Sequence, residues 1–150
     1  GPFLIPLKSR NADIYQVRGQ YPPAGGLMTA RDTANFKISE FFCPHCGKGS
    51  DVIKQQLIDA LQKIRTDRGL PMSITSGYRC EEHNRAIHGA VHSAHLEGSA
   101  ADVSDPQGKL KVWMAPRLED YGLWMESPKD TPSWCHLQIR PVAGGRIFRK

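Results

Sequence analysis

A chain of 150 residues, 39% apolar and 23% charged, is the size of one domain around one hydrophobic core, and this balance excludes a disordered polyampholyte. No apolar run approaches the ~20 residues of a membrane helix, and the opening Phe3–Leu7 stretch is too short for a signal peptide. The net charge of +5 favours anionic partners, yet the basic residues are scattered, without a like-charge block or an aromatic-interleaved RNA motif, so nucleic acid is not expected.

Residues 1–35 hold Pro22-Pro23 and Gly25-Gly26 and no sustained periodicity. They read as an extended N-terminal arm on the surface of a domain spanning 36–150. Val52, Ile53, Leu57, Ala60, Leu61 and Ile64 then recur at helical spacing. With Ser50 as N-cap and Gly69 and Pro71 as stop signals, they predict a helix over 50–68. Met72–Thr75 reads as a short strand entering a Ser76-Gly77-Tyr78-Arg79 turn, and Glu81–Ile87 as one or two helical turns. Ala100–Ser104 reads as a buried strand, with Ala101 and Val103 toward the core and Asp102 on the other face. Tyr121–Glu126 and Ser133–Arg140 predict two more strands around a Ser127–Pro132 loop. The sum is an α+β domain, one long helix packed on a small, mainly antiparallel sheet.

Four cysteines are too few for a disulfide scaffold at this length. Cys43-Pro44-His45-Cys46 is a C-x-x-C, but its position ahead of the helix only approximates that of a redox motif. A zinc knuckle needs a second ligand pair, for which only Cys80, Cys135 and scattered histidines remain. The expectation is a local structural role, as a Cys43–Cys46 pair or with one of them bridged to Cys80. His83, His88 and His92 read as solvated loop histidines.

His95, Asp102 and His136 stand apart. Two imidazoles and a carboxylate are a common ligand set for catalytic Zn²⁺, and the small residues Gly98, Ser99, Ala100 and Ala101 allow the tight bend that would bring the first two together. Among six histidines such spacing also arises without a site, and surface solvation is the competing reading.

Beyond spacing, three motifs occur in order: Ser76-Gly77-Tyr78-Arg79 followed by Asn84; Ser93-x-His95-x-x-Gly98-x-Ala100-x-Asp102; and Trp134-Cys135-His136-Leu137. Together, over about Phe36 to Phe148, they resemble the zinc D-alanyl-D-alanine peptidases. These are the VanY-type carboxypeptidases and phage L-alanyl-D-glutamate endolysins, related in fold to the hedgehog signalling domain. The resemblance implies a hedgehog/DD-peptidase fold and one Zn²⁺ ion on His95, Asp102 and His136. It puts Arg79 where the family holds the substrate or its oxyanion, a task that suits a fixed planar charge; a surface ion pair with Glu81 or Glu82 is the alternative. Ser93 falls at the family serine, contacting substrate or capping a turn.

The chain departs from the pattern at Ser133, where many members carry an acid three residues before the last histidine. Two acids are candidates for the base. Glu126 shares a face with His136 if the hairpin sets 126 opposite 134, which favours it. Asp130 is nearer in sequence to the missing acid but equally suits an Asx turn. If neither serves, the site is an inactive binding module, as in hedgehog domains. Trp124 and Trp134 flank the same face, as a groove wall for peptide substrate or as core edge. The implied protein is a monomeric zinc metallopeptidase acting on peptidoglycan stem peptides. It would be periplasmic, wall-associated, or a phage lysis or injection component. The alternatives are a non-catalytic zinc module binding wall or protein, and a thiol redox protein.

Overall fold

The computed structural model describes residues 29–150. Most of the expected N-terminal arm, residues 1–28, lies outside the described residues. Residues 29–35 run along the long helix α1, Gln55–Arg68, where Gln62 Oε1 accepts hydrogen bonds from the Thr33 hydroxyl and the Asn35 N–H.

α1 buries Leu57, Ala60, Leu61 and Ile64 of the predicted stripe together with Ile58, while Val52 and Ile53 precede it, and it ends at Gly69 with φ +74°. Its start differs from the sequence expectation. Ser50 is not the N-cap; its carbonyl accepts the Ala30 N–H, and the chain turns through Gly49, whose carbonyl takes the N–H groups of Val52 and Ile53. Lys54 occupies the cap position instead. Its N–H donates to Gly98 O and its ammonium to Glu97 O, so the mouth of the helix grips the loop that carries His95. A tertiary contact therefore overrides the local cap signal.

The described residues form a five-stranded sheet with order β1-β2-β4-β3-β5. The strands are β1 Ile74–Ser76, β2 Ala100–Ser104, β3 Trp124–Glu126, β4 Trp134–Gln138 and β5 Ile147–Phe148. All pairings are antiparallel except β3 with β5. Ala101, Val103, Met125, Cys135 and Leu137 belong to one core cluster with α1, so Asp102 and His136 fall on the opposite face by alternation.

Four further features depart from expectation. Tyr121 is not in a strand but closes the short helix α4, Leu118–Tyr121, and Gly122 at φ +67° turns the chain into β3. The β3–β4 register pairs Trp124 with Gln138 and Met125 with Leu137, two residues from the predicted pairing. The loop sets this offset: Thr131 is buried with its hydroxyl donating to Ser127 O, so Trp134 and Cys135 pair with β2 alone before β3 joins. His83 lies in the helix α2, Glu81–Ala86, rather than in a loop. Finally, none of the four thiols is joined in a disulfide.

Between β2 and α4 lies α3, Lys109–Met114, a helix too short for its periodicity to predict. The buried Asp105 carboxylate accepts the Leu110 and Lys111 N–H groups and pairs with the buried Lys111 ammonium at 3.1 Å. That ammonium also donates to Trp134 O at 2.8 Å, tying α3 to the start of β4. Among the described residues no helix is long and apolar enough to cross a membrane.

Candidate metal centre

Pairing of β2 with β4 sets Asp102 directly opposite His136. The third member arrives from the 3₁₀ turn Ala94–Glu97. Ser93 Oγ accepts the His95 N–H at 3.1 Å to start that turn, and Gly98 ends it at φ +70°. A side chain at Gly98 would collide with the Val52 carbonyl oxygen, so glycine is needed there for shape as well as conformation. His95, Asp102 and His136 each present one ligand atom, all within 4.8 Å of one another. Asp102 Oδ1 lies 2.9 Å from His136 Nδ1 and 3.3 Å from His95 Nε2.

The outer nitrogen of each ring is anchored, and this fixes the tautomers. Nδ1–H of His95 donates to Gly77 O at 2.7 Å, leaving the Nε2 lone pair facing inward. Nε2–H of His136 donates to Gln138 Oε1 at 2.7 Å, leaving Nδ1 inward. Gln138 is itself oriented by donating its amide N–H to Arg140 O at 2.8 Å. All three ligand side chains are buried. Burial lowers the His95 pKa and so keeps the ring neutral. Burial pushes the Asp102 pKa up, but the His136 and His95 rings set against its Oδ1 outweigh it and hold the carboxyl well below the usual range.

The Ser76–Arg79 motif gives each residue a task. Ser76 Oγ accepts Nε–H of Arg79 at 3.1 Å. Gly77 packs so tightly against Phe41 that an added Cβ would sit 2.6 Å from its Cα, and its carbonyl holds His95. Tyr78 N–H donates to Phe41 O, and Arg79 N–H to His95 O. The Arg79 side chain is only 12% exposed. Its Nη2 lies 3.3 Å from Asp102 Oδ2, and its Nη1 donates to Asn84 Oδ1 at 3.1 Å. The surface ion-pair reading fails, because Glu81 pairs with Arg85 and Glu82 with His45.

The two candidate bases are placed very differently. Continuing the observed register sets Glu126 level with His136 on the same face. Burial, and then the charges of Asp102 and Asp130, push the Glu126 pKa up against the pull of His136. Asp130 forms no Asx turn over the site. It is held by Arg149, at 2.9 Å to Nε and 3.1 Å to Nη2, and by the Lys150 N–H, and these bonds draw its pKa down to about 2. Ser133 is exposed at the position of the missing acid. Trp134 is half-buried on the His136 face by alternation, and Trp124 lies under the Arg146 guanidinium, 4.0 Å from its carbon to the ring centre.

Three contributors escaped the sequence reading. Gln138 was signalled by its i+2 position on the His136 face. Gly77 was inside a recognised motif but its carbonyl has no sequence signature. Phe148 in β5 stands edge-on to His136 with ring centres 6.0 Å apart, a contact nothing in the sequence indicates.

Residues 34–122, more than half of the chain, match the peptidase M15 family, and the chain belongs to it. It is thus a peptidase-family hydrolase with the α+β architecture consistent with a hedgehog/DD-peptidase fold. No curated protein matches the chain. The matched segment holds Arg79, His95 and Asp102; His136 and Glu126 lie beyond it, brought to the same place by β4 and β3.

Proposed function

We propose that this protein is a zinc peptidase that hydrolyses bonds in peptidoglycan stem peptides, as a D,D-carboxypeptidase or an endopeptidase, working as a monomer with one catalytic ion. The observation that carries this reading is the convergence of His95 Nε2, His136 Nδ1 and Asp102 Oδ1, with the other nitrogen of each ring anchored to an oxygen acceptor. Two imidazoles and a carboxylate, buried and oriented from behind, fit a catalytic zinc ion. Bound there, Zn²⁺ supplies an acidified water and polarises the scissile carbonyl.

The chain's own groups do the rest. Glu126 takes the proton from the attacking water and returns it to the leaving amine nitrogen, a role served by a carboxylate whose pKa is already raised. Arg79 spends donors on Ser76, Asn84 and Asp102, so it steadies Asp102 from the far side and adds a fixed positive charge beside the reacting carbonyl. Ser93 serves as the cap that aims His95. Trp134 lines the substrate side. The net charge of +5 suits an anionic wall, reached after export or as part of a phage lysis or injection apparatus.

The test is digestion of purified peptidoglycan, with mass spectrometry of released fragments, by native protein, Glu126→Ala and Asp130→Ala. Fragments that vanish on chelation and return with Zn²⁺ support the reading, and the new termini identify the bond cut. Equal release by chelated and metal-loaded protein overturns zinc catalysis. One observation, Ser133 in the place of an acid, favours a non-catalytic zinc module, and stoichiometric zinc with no release would establish that alternative.

A further inference from the structure

We propose that Cys43, Cys46, Cys80 and His83 form a second, structural zinc site, separate from the catalytic centre. Nothing in the peptide-cleaving machinery uses these residues, yet the fold gathers the three cysteines. The Cys43, Cys46 and Cys80 sulfurs lie within 4.8 Å of one another, and all are free thiols. Three thiolates at Zn–S distances of about 2.3 Å in a tetrahedron stand roughly 3.8 Å apart, so the cluster needs only a small contraction.

The local chain has the shape of a metal knuckle. In Cys43-Pro44-His45-Cys46-Gly47, the Gly47 N–H donates to Cys43 O at 2.7 Å, and Cys43 N–H to Lys48 O at 2.9 Å. Gly47 takes φ +70° with open space around it, so its conformation and not crowding calls for glycine. Cys43 Sγ accepts the Cys80 N–H at 3.4 Å, and the N–H groups of Cys46 and His45 point at it as well. Cys80 Sγ accepts the His83 N–H at 3.4 Å. The N–H donors around Cys43 Sγ favour the thiolate there.

The fourth ligand follows from spacing and from what is already engaged. Cys80-Glu81-Glu82-His83 is the second pair that the sequence alone did not bring to Cys43-x-x-Cys46. His45 is tied through Nε2 to Glu82 at 3.0 Å. The His83 ring stands outside the 4.8 Å sulfur cluster; it makes no side-chain hydrogen bond among the described residues and stacks on His45, with centres 6.4 Å apart, so turning it toward the sulfurs breaks no such bond. An ion here would staple the Cys43–Gly49 loop to the residue directly after Arg79, the side chain that holds Asp102.

Zinc content and cobalt spectra test this without any activity assay. Elemental analysis of protein purified with zinc should find two ions per chain, falling to one in Cys46→Ser/Cys80→Ser and, separately, to one in His95→Ala/His136→Ala. The double-cysteine variant losing its ion while the histidine variant loses the other keeps the two sites distinguishable. Should the cysteine variant not fold, the native chain loaded with Co²⁺ still decides, since thiolate ligation gives intense near-ultraviolet charge-transfer bands. His83→Ala should weaken the thiolate-bound ion by more than the roughly 100-fold that loss of an outer-sphere partner costs, and His45→Ala should not. The proposal is overturned by cobalt spectra without thiolate bands, by a disulfide in the unreduced mass, or by zinc content that Cys46→Ser/Cys80→Ser leaves unchanged. Equal zinc affinity in His83→Ala and native protein overturns the fourth ligand.

Discussion

Replacing Gln138 with leucine separates the aiming of a ligand from the ligand itself. Gln138 is 3% exposed, and its Oε1 accepts the Nε2–H of His136 at 2.7 Å. Leucine has a similar volume and no acceptor. The His136 ring then keeps its place in β4 but loses the partner that puts its proton on Nε2 and its lone pair on Nδ1, 2.9 Å from Asp102 Oδ1. Loss of such an outer partner lowers metal affinity about 10–100-fold, or about 1.4–2.7 kcal/mol. The orphaned buried N–H adds a stability loss of about 1–3 kcal/mol. Competition of native and Gln138→Leu protein against a chromogenic zinc chelator measures the first quantity, and urea unfolding of the metal-free forms measures the second. Gln138→Glu keeps an acceptor and should hold or raise the affinity. A zinc affinity in Gln138→Leu within twofold of native, in a folded protein, would show that Gln138 does not aim His136.

Glu126→Gln should retain stoichiometric zinc while peptidoglycan hydrolysis falls about 10²–10⁴-fold, whereas Asp130→Asn should lose far less rate; the opposite order would transfer the base to Asp130. Asp105→Asn leaves the buried Lys111 ammonium unpaired and should cost about 3–5 kcal/mol in urea unfolding. Burial raises the Asp105 pKa, but the Leu110 and Lys111 N–H groups and the Lys111 ammonium bring it below its ordinary value. Its stabilisation is therefore complete above the unfolded pKa of about 3.9 and is lost as pH falls through the lower folded value. The gap between native and Asp105→Asn should be flat above about pH 5 and shrink in stronger acid; a gap that widens in acid would reverse the assignment. Gly77→Ala forces a shift against Phe41 and should destabilise by about 1–3 kcal/mol and weaken zinc binding, because the displaced carbonyl is the one that holds His95; undiminished zinc affinity would release Gly77 from that role.

How much of this was legible depends on how local each determinant is. The α1 stripe and the alternation in β2 are carried by residues three or four and two apart, and both appear as the sequence predicts. The two long motifs are legible for a related reason: nearly every position has a backbone task within a few residues or against one loop, as with Ser93 capping the turn of His95 and Gly98 ending it. Determinants set by distant chain were not legible. Ser50 carries a good local cap signal, but Ala30 and Gly98 hold the preceding turn and move the helix start to Lys54. Leu110, Met114, Leu118 and Tyr121 are buried at helical intervals, yet Pro116 divides them into helices of six and four residues, too short for periodicity to announce.

The candidate site divides along the same line. His95 and Asp102 were named from one ten-residue motif. Choosing between Glu126 and Asp130 required the hairpin register and the partners of Asp130, which are Arg149 and Lys150, 19 and 20 residues further on. Register is fixed by how a loop packs, here by the buried Thr131, and a two-residue offset leaves the hydrophobic alternation of both strands intact. That is why the sequence reading placed Glu126 on the correct face at the wrong level. The cysteines repeat the lesson at longer range. Cys43 and Cys46 looked like half a knuckle because Cys80 and His83 lie beyond α1 and β1 in the chain. The same Gly77–Phe41 contact that positions the carbonyl for His95 brings Cys80 back to Cys43. One close approach of backbone thus builds the support of the candidate metal centre and assembles the thiol cluster, so a substitution at Gly77 should weaken metal binding at both. Cys80→Ser should empty only the thiolate site.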